Sequence, residues 1–202
     1  MLIGSSKMST LAPLLKMAWT TFRLNPLAEI LYTFFFLLAA ATGLLLGPAA
    51  IAYFWRLTPK TSSSGVAQIL MLSQRYQGSR RTASMFWLGI ILFGISLLPL
   101  FHHPFVGIPL WLFISQPLGL ALIVADRYDL GFTVACKSTF WFLYEAPAKG
   151  FLCLGLGLLA FSGSLLFGVG ILVTFPIALR TLLAYLTTCS AELSIAIQKG
   201  YR

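Results

Sequence analysis

Two charged residues stand alone inside long apolar stretches, and they are the first candidates for chemistry in this chain. Glu29 is the only acidic residue before Asp126, and Arg180 is the only basic residue between Lys149 and Lys199. A charge in hydrocarbon costs at least ~2.5 kcal/mol, so such residues tend to pair or to line a polar cavity. We predict an intramembrane ion pair between Glu29 and Arg180; the alternative is that each side chain reaches the membrane interface separately.

The other polar residues form no catalytic or metal-binding pattern. Adjacent His102 and His103 would not share a helix face, which disfavours a joint metal site, although one of them could ligate a haem or pigment. Ser162-Gly163-Ser164 has no histidine nearby in the sequence, so close packing of small residues explains it better than a nucleophile. The three cysteines are isolated, without a CxxC pair. We therefore predict a non-enzyme with no catalytic residue, cofactor or metal site.

The composition is typical of a membrane protein. Of 202 residues, 58% are hydrophobic and only 9% are charged, and the mean hydropathy is +0.89. Soluble domains carry roughly a quarter charged residues, so this chain is too poor in charge to cover a water-facing surface. The net charge of +9 follows from basic loops, as the positive-inside rule expects. Because no basic run is interleaved with aromatics, we predict no nucleic-acid partner.

The N-terminal segment 9–24 has the pattern of an interfacial helix. Lys16 and Arg23 fall on one face, and apolar residues recur at helical spacing on the other. This apolar stripe contains Leu11, Leu14, Leu15, Ala18, Trp19 and Phe22. We predict that the stripe lies in the headgroup plane and that Lys16 and Arg23 contact anionic headgroups of the bilayer.

Residues 26–58 are too long for one straight span and short for two. Arg23 precedes this stretch and Arg56 closes it, so both flanks should be cytoplasmic. We predict a hairpin of two helices, at about 26–42 and 44–58. The second would be only about 22 Å long, against a hydrocarbon core of roughly 30 Å, so a re-entrant segment is the alternative.

The central part of the chain predicts a cytoplasmic helix and two further spans. The helix occupies 66–80, and the spans lie within 83–125. The turn between the two spans, at 101–104, contains no Lys, Arg, Asp or Glu, as an outer loop should.

The last third repeats the pattern of an interfacial helix followed by a hairpin. We predict an interfacial helix at 130–146, capped by Asp129, then a hairpin at 150–188 and a cytoplasmic tail at 189–202. The expected fold is all-α: one polytopic membrane domain of about six transmembrane helices, covering 1–202. Both termini should be cytoplasmic in a multi-pass protein of the cell membrane.

Two segments share an order of features that suggests an internal duplication. In each, a helix is followed by a proline and then by a hairpin whose second arm carries a proline and a tyrosine. The first set is Pro26, Pro48 and Tyr53, and the second is Pro147, Pro176 and Tyr185. Chance similarity between apolar segments is the alternative, because the spacings differ by several residues.

The segment from Thr42 to Tyr53, with Gly47-Pro48 and then Ala52-Tyr53, resembles a conserved motif of YesL-like bacterial membrane proteins. Tyr128-Asp129-Leu130 before a further helix is similar too. The resemblance implies a small protein of the bacterial inner membrane with six spans and no established biochemical activity. Some members of that family are encoded with carbohydrate-uptake systems. We therefore expect a non-catalytic protein that assists or regulates transport; the alternative is a structural or accessory subunit of a larger membrane complex.

The predicted topology can be tested with reporter fusions. Fusions at Ser63 and Lys199 should report the cytoplasm, and a fusion at His103 should report the outside, because the basic clusters fix the orientation. An external signal at Ser63 would exclude the first hairpin and leave five crossings.

Overall fold

The computed structural model describes residues 11–41, 46–57, 79–97, 104–162 and 170–202. Within these ranges every regular element is an α-helix. The helices are α1 (Leu11–Leu24), α2 (Pro26–Ala41), α3 (Leu46–Leu57), α4 (Ser79–Ser96), α5 (Pro104–Tyr128), α6 (Phe132–Glu145), α7 (Pro147–Ser162), α8 (Ile171–Thr188) and α9 (Ser190–Gly200). The all-α prediction is confirmed for this part of the chain.

Two proline elbows organise the fold. Pro26 is the first residue of α2, and Pro147 is the first residue of α7, where a missing backbone N–H costs nothing. The chain bends by 99° between α1 and α2 and by 117° between α6 and α7. After each elbow, two antiparallel helices pack on each other: α2 on α3, and α7 on α8. The arrangement of helix, elbow and helix pair thus occurs twice.

The apolar stripe of α1 packs in part on protein, where the prediction placed it wholly in the headgroup plane; Trp19, in the same stripe, stays 45% exposed, and the interfacial position of the helix stays a prediction. Ala18 and Phe22 are buried, and Leu11 and Leu14 pack against the protein core. The partner is mainly α8. Packing against another apolar helix removes the stripe from water as effectively as lipid does. The opposite face, with Lys16 and Arg23, is exposed.

The central helices differ modestly from their predicted limits. Helix α4 begins at Ser79, four residues before the expected span, and α5 continues past residue 125 to Tyr128. Most of the predicted helix 66–80 and the turn containing His102 and His103 lie outside the described residues.

The junction between α5 and α6 is not the cap that was predicted. The N-cap of α6 is Gly131, without a side-chain hydrogen bond. Asp129 instead adopts a left-handed conformation with φ of 54°, which Asp tolerates better than most residues. This lets the Leu130 N–H donate to the Ala125 carbonyl at 3.2 Å, so Asp129 terminates α5 rather than starting α6.

The predicted tail at 189–202 contains a helix, α9, which packs against α6. Leu193 and Ala196 are fully buried. Ion pairs of Glu192 with Lys149 and of Lys199 with Glu145 tie α9 to both sides of the second elbow. The buried residues lie three apart, so the segment carries a helical stripe that the sequence analysis did not use.

Among the helices whose side chains are described throughout, one, α8, is long and apolar enough to cross a membrane by itself; several side chains in the first half of α5 are not described. The number rises to three if each bent pair, α1 with α2 and α6 with α7, counts as one span. Membrane localisation therefore agrees with the structure at this coarse level.

Close packing at the second elbow gives a stability prediction. A Cβ added at Gly150 would lie 2.6 Å from Leu143 Cδ2 and 3.2 Å from Leu143 Cα. We expect Gly150→Ala to lower the thermal unfolding temperature in detergent, because overpacking costs about 1–3 kcal/mol. Gly155→Ala on the same helix is the matched control, since its Cβ would meet nothing within 4 Å. Equal unfolding temperatures for the two variants would contradict this account.

Candidate functional site

The structure brings Glu29 and Arg180 together and adds a second arginine. Arg180 Nη2 donates to Glu29 Oε1 at 3.2 Å, and Arg56 Nη2 donates to the same oxygen at 3.2 Å. We call Glu29, Arg56 and Arg180 the ion cluster. Sequence reasoning treated Arg56 only as a basic flank. The missed signal was its place at the end of the return helix, because an antiparallel hairpin places that end beside the start of α2.

Helix dipoles stabilise two members of the ion cluster. Glu29 lies in the first turn of α2, and Arg56 lies in the last turn of α3. The amino end of a helix favours an anion and the carboxyl end favours a cation. Arg180 is near the middle of α8 and has no such support. The Glu29 carboxylate is therefore the main partner that stabilises the Arg180 charge.

The three side chains of the ion cluster differ in how far they are exposed to solvent. The side chains of Glu29 and Arg180 are 8% and 12% exposed, and that of Arg56 is 29% exposed. The guanidinium carbon of Arg56 lies 3.7 Å from the ring centroid of Tyr32, a cation–π contact. With one carboxylate and two guanidiniums, the cluster carries a net charge of +1.

A hydrogen-bonded hydroxyl pair lies next to the ion cluster. The Thr33 hydroxyl donates to the Glu29 backbone carbonyl at 2.8 Å and lies 2.7 Å from the Tyr53 hydroxyl. Because the Thr33 proton is used on the carbonyl, Tyr53 is the donor in the second bond. Both residues are buried, so the pair joins α2 to α3 without leaving these hydroxyls unsatisfied.

Three aromatic rings form the next layer. Phe36 stacks on Tyr53 with ring centroids 4.7 Å apart, and on Phe175 at 5.5 Å. Tyr53 and Phe175 are 5.9 Å apart. These separations are in the range of favourable aromatic pairs. We call these rings, from α2, α3 and α8, the aromatic layer.

A partly open cavity of about 350 Å³ borders the aromatic layer, a volume within the usual range for ligand pockets. Its walls come from α2, α3, α4, α5, α7 and α8, so it lies between the two elbowed units and the α4–α5 pair. Phe36 and Phe175 belong to both the aromatic layer and the cavity wall. The described lining residues include no charged side chain; Ser115, Gln116 and Cys153 are its polar members.

The remaining sequence candidates do not join this site. Ser162 is exposed and donates to the Leu159 carbonyl at 2.8 Å. Gly163, Ser164, His102 and His103 lie outside the described residues. No three His, Cys, Asp or Glu side chains in the described part of the chain are grouped to hold a metal.

Comparison with known proteins gives no match among family models, curated proteins or solved structures. The resemblance to YesL-like proteins therefore stays a prediction, and the site has to be interpreted from its own geometry.

The ion cluster predicts a specific pattern in a double-mutant cycle. Glu29→Gln should destabilise the protein most, because it leaves two guanidiniums without an anion. Arg180→Gln should also lower the unfolding temperature in detergent. Each single variant should lose about 2 kcal/mol of the free energy of unfolding. The double variant should recover part of the loss, because Arg56, the most exposed member of the cluster, is then the one guanidinium of the cluster left without its anion.

Arg56→Gln is the control within the same cluster. Arg56 is the most exposed member, so its loss should cost less than that of Arg180. Strictly additive losses for Glu29→Gln and Arg180→Gln would show that the two residues do not interact.

Proposed function

We propose that this chain is a multi-pass protein of the bacterial inner membrane, with about six crossings. One observation carries the proposal: the outward face of α2 is apolar and uncovered. Its large side chains are 47–69% exposed, far beyond the isolated apolar residues of a soluble surface. They are Leu27, Leu31, Phe34, Phe35 and Leu38. Lipid is the solvent that suits this face.

Helix α5 supports more than the minimal number of crossings. Its 25 residues correspond to about 37 Å at 1.5 Å per residue, longer than the roughly 30 Å hydrocarbon core. Its charged residues, Asp126 and Arg127, both fall in the last turn. Helix α4, like α2, exposes a large apolar side chain, Trp87.

The arrangement of charges supports cytoplasmic termini. Arg56 and Arg180 meet Glu29 at the start of α2, and Lys149 meets Glu192 at the start of α7. Arg56 lies at the end of the first helix pair and Lys149 at the start of the second, so each elbow has a basic residue beside it. Lys16 and Arg23 are exposed on α1, and we propose that they contact anionic headgroups, each contributing about 1 kcal/mol.

For activity we propose a non-catalytic role that assists or regulates transport. The support is the cavity at the meeting point of the helix pairs, which Phe36 and Phe175 of the aromatic layer help to line. Its described lining residues carry no charge, which argues against an ion-coupled carrier, since such a carrier needs buried acids or bases. Membership of the YesL-like group is part of this proposal.

A second candidate is an accessory subunit of a larger membrane complex. It is favoured by exposed aromatic side chains on α6 and at the start of α7, namely Phe140, Tyr144 and Phe151. Exposed aromatics at this density are typical of protein interfaces.

Purification separates the two candidates. The full chain should stay in the membrane pellet after alkaline carbonate, and release into the supernatant would refute the membrane proposal. In mild detergent, the subunit role predicts a stoichiometric partner that copurifies with the chain. That partner should be lost in the Phe140→Ser/Tyr144→Ser variant and kept in the Phe34→Ser/Phe35→Ser variant. The second pair is the matched control, since both pairs are exposed aromatics. Purification as a single species would favour the transport role.

A further inference from the structure

We propose that the central cavity binds an uncharged single-chain amphiphile, with its polar group at Ser115 and Gln116 and its aliphatic chain against the apolar walls. This inference deepens the proposed function by naming the ligand class of the same cavity. It depends on the membrane setting as the source of the ligand, but binding itself can be measured without any transport.

The lining excludes a charged ligand. Phe, Leu, Ile, Trp and Ala side chains form most of the wall, and the described lining residues bring no charge to it. Burying an ion there without a partner would cost far more than its apolar contacts could return. The ion cluster does not supply that partner, because Glu29, Arg56 and Arg180 are not among the described lining residues.

Ser115 marks the polar end of the site. Its Oγ is buried, and the described part of the chain gives it no hydrogen-bond partner. Serines in helices often bond back to a carbonyl one turn earlier, as Thr33 and Thr181 do here. A buried hydroxyl without a partner costs about 1–3 kcal/mol. A ligand hydroxyl or amide within the cavity would satisfy it.

Gln116 adds a second polar group, and Gly157 makes room for it. A Cβ at position 157 would lie 2.0 Å from Gln116 Oε1, so any larger residue would force the carboxamide away. Gln116, Gly157 and Ser115 all line the cavity. A carboxamide both donates and accepts, which suits a neutral hydroxyl or amide group.

The position of α2 argues that the chain of the ligand comes from lipid. The same helix exposes Phe34, Phe35 and Leu38 outward and lines the cavity with Leu37 and Ala40. One helix thickness separates lipid from the partly open cavity, and aliphatic chains are the apolar molecules available there.

Trp111 lies in the cavity wall and provides a local fluorescence readout. In a full-length protein with Trp19, Trp55, Trp87 and Trp141 changed to Phe, 12-bromododecan-1-ol should quench Trp111 saturably. Ser115→Ala should weaken that binding about three- to tenfold, the value of one or two hydrogen bonds. 1-Bromododecane, which lacks the hydroxyl, should be insensitive to Ser115→Ala, and 12-bromododecanoate should bind more weakly than the alcohol.

A cavity-filling variant completes the test. Gly119 lines the cavity, and a Cβ there would meet nothing within 4 Å, so Gly119→Leu should fill the space and abolish saturable quenching. Gly155→Leu is the matched control, since Gly155 is equally open but is not part of the lining. Quenching that grows linearly with probe content in both variants, or binding unchanged by Ser115→Ala in a folded protein, would overturn the proposal. Either result would leave the membrane and transport proposals untouched, because neither measures them.

Discussion

A single buried carboxylate sets the geometry of the first half of the bundle. Glu29 must meet Arg56 and Arg180 at one oxygen, which fixes the start of α2, the end of α3 and the middle of α8 at one level. Because Arg180 is mid-helix, the last two turns of α8 extend beyond the start of α2. Helix α1 leaves α2 at 99° and packs against α8. The ion cluster thus determines how far α8 extends past the start of α2, and this extension is the surface on which the apolar stripe of α1 packs.

Polarity falls in steps from this point into the bundle. Along α2, the ions are followed by the hydrogen-bonded hydroxyls of Thr33 and Tyr53, then by the aromatic layer, and then by the cavity, whose described lining residues include no charged side chain. The hydroxyl step leaves no unsatisfied hydroxyl, because Tyr53 donates to Thr33 and Thr33 donates to the Glu29 carbonyl. Tyr53 joins two layers, since its hydroxyl bonds Thr33 while its ring stacks on Phe36.

The sequence predicts helices and isolated charges well because both signals are local. Glu29 and Arg180 are isolated charges within apolar segments, and the prolines of the two elbows mark boundaries between helical segments. What was missed depends on neighbours in space. The stripe of α1 could pack on lipid or on protein, and periodicity cannot distinguish them. The same applies to α9. The cavity is a gap between six helices, so no residue type in the sequence marks it.

The two elbowed units have similar shapes but are held by different forces. Three residues after the elbow proline, the first unit has Glu29 and the second has Gly150. The carboxylate holds its unit through ions, whereas Gly150 holds its unit through close packing on Leu143. The second unit is tied further by α9, through Glu192 with Lys149. Because Arg180 belongs to α8, the ion cluster also joins the first unit to the second, and it fixes α2 and α3 where they wall the cavity.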